Sequence, residues 1–266
     1  MKHDEVAFER LTREAAVWVT VAQTQGSVPR DAATWMAVFA DAVVGTIGGG
    51  HVELQAIGHA RDMLAGLPRE VERRFALGPS LGQCCGGVMH LAFEAVLATA
   101  LPMLRQRAAR ALLPVALFGG GHVGQALIDV LGRLPFAVTW IDSRDEIFPT
   151  HLPANIACEH SDPVQGAVPA LAVGSQVLIM SFSHAEDLEV VAACLRRVRE
   201  CGDLPYVGLI GSKTKWATFR RRLRQRGFSD AELDHVTSPI GIAGIAGKEP
   251  EVIAVGVAAQ LLQRRD

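Results

Sequence analysis

Tyrosine occurs once in these 266 residues, at Tyr206, and aromatic residues make up only 6% of the chain. That scarcity excludes the tyrosine–lysine couple on which many nicotinamide oxidoreductases rely, since no Tyr-x-x-x-Lys pair is present. Charge of one sign is scarce as well. A formal net charge of −2 leaves no global attraction to nucleic acid or to an anionic membrane, so any anion binding has to be local. No stretch approaches the roughly 18 apolar residues that a membrane span needs, and the charged amino terminus, Met1 to Arg10, has no apolar signal core. A cytoplasmic location is expected. Cys84, Cys85, Cys158, Cys194 and Cys201 are odd in number and show no paired framework, which excludes a disulfide scaffold and fits reduced thiols. Internal repeats and low-complexity tracts are absent.

What the chain does have is glycine in clusters, and 49% hydrophobic residues, enough for two cores of ordinary size. The first third reads as mixed α and β: a helix over 3–15, strands over 17–21, 34–39 and 42–46, a helix over 51–64, and strands over 71–77 and 88–96. After an Ala/Arg-rich helix over 99–113, the pattern changes to alternating strand and helix. Strands are expected at 115–118, 137–141, 156–159, 176–180 and 206–210, with helices at 125–134, 184–201, 212–226 and 249–263. Such alternation marks a parallel sheet. The expected architecture is α/β, an amino-terminal α+β domain over 1–112 followed by a Rossmann-like domain over 113–266.

Three segments carry chemistry. Leu81-Gly82-Gln83-Cys84-Cys85-Gly86-Gly87 places two thiols side by side between glycines. Adjacent α-carbons lie about 3.8 Å apart, too close for an unstrained disulfide, so two free thiols and a soft-ligand or thiol-transfer site are expected. The alternative, cysteines packed as small hydrophobes, stands beside it. Gly48, Gly49 and Gly50 precede a helix that opens with His51 and Glu53. Backbone donors at a helix start suit a phosphate, whereas His51 and Glu53 read equally as cap or solvated residues. The His-x-Glu pair lacks the Pro-Cys-x-x-Cys partner of zinc deaminases. Finally, Gly119, Gly121 and Gly124 form a Gly-x-Gly-x-x-Gly turn between strand and helix, with Asp142 ending the next strand. The turn suits a diphosphate, and Asp142 is placed to accept bonds from a ribose hydroxyl.

Two further segments leave their readings open. His184, at the carboxyl end of a strand, either lines a cleft or follows a Ser183 cap. Lys213, Lys215, Arg220, Arg221, Arg222, Arg224 and Arg226 form a basic run without an acid, either a solvated helix face or a docking surface.

The chain resembles the xanthine dehydrogenase accessory protein family, XdhC/CoxI, along nearly its whole length. The resemblance rests on Gln25-Gly26-Ser27-Val28-Pro29-Arg30, Gly45 to Glu53, Gln83 to Gly87, Phe118 to Gly124, Gly208 to Lys213, and Pro239-Ile240-Gly241 followed by Gly247 to Val255. It implies a chaperone for the molybdenum cofactor, a molybdopterin, which binds the cofactor, protects it while its terminal sulfido ligand is installed, and delivers it to xanthine dehydrogenase or a related molybdenum hydroxylase. Cys84 and Cys85 would then contact molybdenum. Gln83, Arg30, Gly48, Gly49, Gly50, His51, Glu53, Gly119, Gly121, Gly124, Asp142 and His184 would line the cofactor site. The resemblance implies a cysteine desulfurase as a partner and no catalytic residue, hence an accessory protein rather than an enzyme. A homodimer is expected only on general grounds, and a nucleotide in the Rossmann-like domain stays an open expectation. The competing reading is an NAD(P)-dependent oxidoreductase using Gly119, Gly121, Gly124 and Asp142, with His184 as proton donor. The chain departs from the family at Ala33-Thr34-Trp35-Met36, where a Gly-Ala pair often precedes the methionine, and at Ala246, where glycine is common. Trp35 is expected to alter the nearby pocket or turn.

Overall fold

A computed structural model describes residues 2–77, 86–110 and 112–264. They divide into two compact units, the described residues within 2–109 and those within 110–264. No helix among the described residues is long and apolar enough to cross a membrane.

In the amino-terminal unit, helix α1 (Lys2–Leu11) is followed by strands β1 (Ala16–Gln25), β2 (Trp35–Val38) and β3 (Val43–Gly45). Helix α2 (Gly50–Leu64), strands β4 (Glu72–Ala76) and β5 (Val88–Val96), and helix α3 (Leu101–Arg110) complete it. The five strands form one antiparallel sheet in the order β3-β2-β1-β5-β4. Ala16 to Val19 is apolar without alternation because the sheet is covered on both faces. Val17, Val19 and Val21, with Met36, Leu91 and Phe93, pack under Val52 and Ala56 of α2. Ala16, Trp18 and Val96 face Phe8 and Leu11 of α1 and Leu104 of α3. Helix α1 stops at Leu11 rather than at 15, since Thr12 turns back to donate to the Glu9 carbonyl and Arg10 ties Glu14 and Asp41 together.

The carboxy-terminal unit alternates β6 (Leu113–Phe118), α4 (His122–Leu131), β7 (Phe136–Asp142), β8 (Ile156–His160), β9 (Gln176–Ile179), α5 (His184–Cys201), β10 (Tyr206–Leu209), α6 (Lys213–Gln225), α7 (Asp230–Leu233), β11 (Val236–Thr237) and α8 (Pro250–Leu262). All six strands are parallel, in the order β11-β10-β9-β6-β7-β8. Counted within the unit this is 3-2-1-4-5-6, the doubly wound order of a Rossmann fold, and the order reverses between β6 and β9. Val115 and Leu117 face α4 and α8, whereas Ala116 and Phe118 face α5 and α6. Helix α5 spans the expected residues because both ends are specified. Ser183 accepts the Glu186 amide at its start, and Gly202 adopts the left-handed conformation at its end.

Candidate functional site

In the amino-terminal unit, three segments far apart in sequence meet at one end of the sheet. The Gln25–Arg30 turn follows β1. A β-carbon on Gly48, whose φ is +122°, would stand 2.7 Å from the Pro29 ring, and one on Gly87 would stand 2.5 Å from the carbonyl oxygens of both Gln25 and Ser27. Neither position has room for a side chain, so glycine is what lets the segments touch. The Gly87 amide donates to Ser27 O at 3.1 Å, and the Leu77 amide donates to Gly87 O at 2.8 Å. Leu77 and Gly87 are therefore held at this turn. Gln83, Cys84 and Cys85 fall between them in sequence and lie outside the described residues.

The Gly48–Gly50 turn is closed by its own acid. Glu53 Oε2 accepts the Thr46 hydroxyl at 2.5 Å and the Ile47 and Gly49 amides at 3.0 Å each, while the Gly48 amide donates to Thr46 Oγ1 at 3.1 Å. Of the glycine amides expected to meet a phosphate, that of Gly49 is held by the Glu53 carboxylate and that of Gly48 by the Thr46 hydroxyl. His51 and Arg30 are exposed. Trp35 stacks on Trp18 with ring centroids 4.0 Å apart, on the face that carries α1 and α3.

In the carboxy-terminal unit, the Gly119–Gly124 turn lies at the carboxyl ends of the strands, where open α/β sheets take their ligands. Helix α4 opens at His122, three residues earlier than expected, because Gly124 continues the helix and a β-carbon there would collide with the Gly119 carbonyl. Asp142 is 1% exposed and bonded on every side. Its Oδ2 accepts the Gly120 amide at 2.6 Å and Arg144 Nη2 at 2.9 Å, and its Oδ1 accepts the amide and Nε of Arg144, both at 2.9 Å. A carboxylate has about four acceptor positions, and these bonds fill them. Burial pushes the Asp142 carboxyl up, but the Arg144 guanidinium and the two amides outweigh it and hold its pKa below the usual range.

His184 is exposed and opens α5, its ring edge-on to Phe219 at 6.4 Å. The Ser183 cap that was expected as its alternative is present. Beside it lies a pair that sequence reasoning did not join: Lys215 Nζ donates to Asp187 Oδ2 at 2.6 Å and to Ile210 O at 2.9 Å, and Asp187 Oδ1 accepts the Ser181 amide at 2.7 Å. The two residues are 28 positions apart, each hidden in a polar run, and no local spacing announces them. Most of the basic run is spoken for by acids. Lys215 pairs with Asp187, Arg220 with Asp230 and Asp234, Arg224 with Asp230, and Arg226 with Glu189. The outcome is closer to a solvated helix face than to a docking surface.

Cys158, Cys194 and Cys201 carry free thiols. Burial pushes the Cys194 thiol up to about 12, so it packs as a small hydrophobe. Among the described residues no group of three or more His, Cys, Asp or Glu side chains is arranged to hold a metal ion.

Comparison with known proteins bears on both units. The family model of the XdhC Rossmann domain matches residues 115–261, and that of the XdhC and CoxI family matches residues 10–75. Uncharacterized protein YqeB of Escherichia coli (strain K12) is 26% identical over 247 residues, which are 91% of this chain and 42% of that protein. The chain therefore spans less than half the length of this curated relative. A crystal structure described as a xanthine dehydrogenase from Bacillus halodurans superposes with a TM-score of 0.76 at 20% identity, covering 99% of this chain and 95% of the other. That likeness shows the fold. A Rossmann-fold NAD(P)-binding family protein from Shigella flexneri, 17% identical, covers 58% of this chain and 89% of its own at a TM-score of 0.39, too low to carry an argument. With the Rossmann-domain model alone spanning more than half of its length, this chain belongs to the XdhC family.

Proposed function

We propose that the chain carries molybdenum cofactor as cargo, shields it while its terminal sulfido ligand is installed, and passes it to xanthine dehydrogenase or a related molybdenum hydroxylase, with sulfur supplied through a cysteine desulfurase. XdhC family membership suggests a role in xanthine dehydrogenase maturation, and the amino-terminal unit supports the finer reading. The observation that carries it is the meeting of Gln25–Arg30, Gly48 and Gly87 at one end of the sheet, where Leu77 and Gly87, described residues on either side of the cysteines in sequence, are bonded to each other.

The chemistry of the cargo suits that place. Molybdenum in this cofactor is bound by an easily oxidised dithiolene, and thiolates are soft ligands that protect such a centre or contact the metal. The pterin ends in a phosphate, to which Arg30, exposed and with its Cγ beside Gly48, offers a guanidinium. A carrier has to release what it holds, so an open turn with a few charge-assisted contacts serves better than a closed metal cage. None of these residues needs to move a proton.

Anaerobic titration of the full chain with molybdenum cofactor, followed by its absorption and by molybdenum content after gel filtration, tests the reading. One cofactor per chain is expected, with binding lost in the Cys84→Ala/Cys85→Ala variant and weakened about tenfold in Arg30→Ala, which corresponds to about 1.4 kcal/mol. Full binding by the double cysteine variant would remove the thiols from the mechanism. Absence of binding by the unaltered chain would end the carrier reading.

A further inference from the structure

The strand order and the Gly-x-Gly-x-x-Gly turn of the carboxy-terminal unit imply a dinucleotide, and its residues do not fit one. A dinucleotide asks such a turn for an open approach to the helix start, for a carboxylate with acceptor positions to give the adenosine ribose, and for a clear path across the point where the strand order reverses. The first is present: no described residue stands within 4 Å of where a β-carbon of Gly121 would be, and no described side chain caps α4.

The second is missing. All four bonds of Asp142 are internal, three of them from Arg144, and Ile147 stands 2.5 Å from the place of a Gly120 β-carbon, with Asp142 Oδ2 3.2 Å from the same place. An arginine after this strand can instead receive a 2′-phosphate. Arg144 has turned inward, its Nε and Nη2 on Asp142 and its guanidinium 4.5 Å from the centre of the Phe182 ring. The path is crossed as well. Ser143 Oγ donates to Glu186 Oε1 at 2.9 Å, and Arg144 meets Phe182, so residues after β7 join residues after β9, the strands on either side of β6.

We infer that the carboxy-terminal unit is a Rossmann fold closed to dinucleotides by its own side chains: Arg144 and Ile147 hold the place of the adenosine ribose, and Asp142 clamps the glycine turn instead of binding a ligand. The fold keeps the turn as a piece of architecture. Gly119 and Gly124 serve this alone, because β-carbons there would collide with the carbonyls of Met180 and Gly119.

Titration of the full chain with NAD⁺, NADH, NADP⁺ and NADPH, by calorimetry and nicotinamide fluorescence, tests the inference. The unaltered chain is expected to show no saturation below about 1 mM, and Arg144→Gly/Ile147→Ala to bind NADH at least tenfold more tightly. Micromolar binding by the unaltered chain that Asp142→Asn abolishes would overturn the inference. So would a folded double variant that gains nothing. Should that variant not fold, NMR of the unaltered chain decides: the Arg144 Nε–H and Gly120 amide resonances stay in place on addition of NADH at 1 mM if the inference holds, and move if Asp142 turns to a ribose.

Discussion

Gly48–Gly50 and Gly119–Gly121 both stand between a strand and a helix, and both turns aim amides at a carboxylate of the chain itself. They differ in what holds that carboxylate. Glu53 is half-buried, and its bonded partners are the Thr46 hydroxyl and two backbone amides, all neutral. Asp142 is buried and receives two of its four bonds from the charged guanidinium of Arg144. A carboxylate held by neutral donors at the surface exchanges them for water at little cost. One buried against an arginine cannot leave without stranding a charge. The same glycine signature therefore marks a turn that can be reopened in one unit and a turn locked shut in the other.

Removing each acid tests that contrast, and Asp142→Ala should have the larger effect. It leaves Arg144, whose side chain is 29% exposed, without its partner and the Gly120 amide without its acceptor, at a cost of about 3 kcal/mol to the carboxy-terminal unit. Urea denaturation followed through Trp140 and Trp216 should show a lower midpoint with an unchanged slope. A loss below about 1 kcal/mol would mean that the clamp adds no more than an ordinary surface ion pair.

Glu53→Ala should cost the amino-terminal unit about 1.5 kcal/mol, because its three donors can turn to solvent. Glu53→Gln should recover part of this, since an amide oxygen still accepts two bonds. Amide exchange at Ile47 and Gly49 is the local readout: both should speed up in Glu53→Ala and much less in Glu53→Gln. Equal losses from Asp142→Ala and Glu53→Ala would erase the contrast.

Acid tests the Asp142 clamp a second way. The folded pKa of Asp142 lies below that of the unfolded chain, so its contribution is fully present above the unfolded value of about 4 and fades as pH falls from there through the folded value. The stability gap between the unaltered chain and Asp142→Asn should stay constant from about pH 5 to pH 8 and narrow below about pH 4. A gap that persists at the lowest pH where the chain still folds would mean that charge is not what Asp142 contributes.

The parts of this arrangement differ in how far they can be read from sequence. Helix α5 is legible at both ends through Ser183 and Gly202, because a cap and a left-handed glycine act within a few residues. The parallel sheet is legible through the alternation of strands with helical patterns. The brief elements are not: the 3-10 turns at Asp145–Ile147 and Val164–Ala170, helix α7 and strand β11 are too short to show a period. Asp142 could be placed correctly at the end of β7 and still be misjudged. Its role depends on the direction in which Arg144, two residues later, turns its side chain, and tertiary packing sets that direction. Glu53 shows the reverse. Its capping reading was available from its place in the first turn of a helix, where acids are favoured.

The smallest expected effect is a gain, and it sharpens the comparison from the amino-terminal side. Ala33 is the one described residue other than glycine with a positive φ, at 68°, in the turn that leads from the Pro29–Arg30 segment into β2. Its amide donates to Val21 O at 2.9 Å, and the Val21 amide donates to Thr34 O at 2.8 Å, so the ladder between β1 and β2 holds the strained angle in place. The left-handed conformation costs a non-glycine residue about 1 to 2 kcal/mol, and glycine would return about 0.4 to 1 kcal/mol of that as extra freedom in the unfolded chain. Ala33→Gly should therefore stabilise the amino-terminal unit by about 0.5 kcal/mol, raising the urea midpoint followed through Trp18 and Trp35 while leaving the carboxy-terminal transition unchanged. A loss of stability would show that the Ala33 methyl group makes contacts worth more than the strain it imposes.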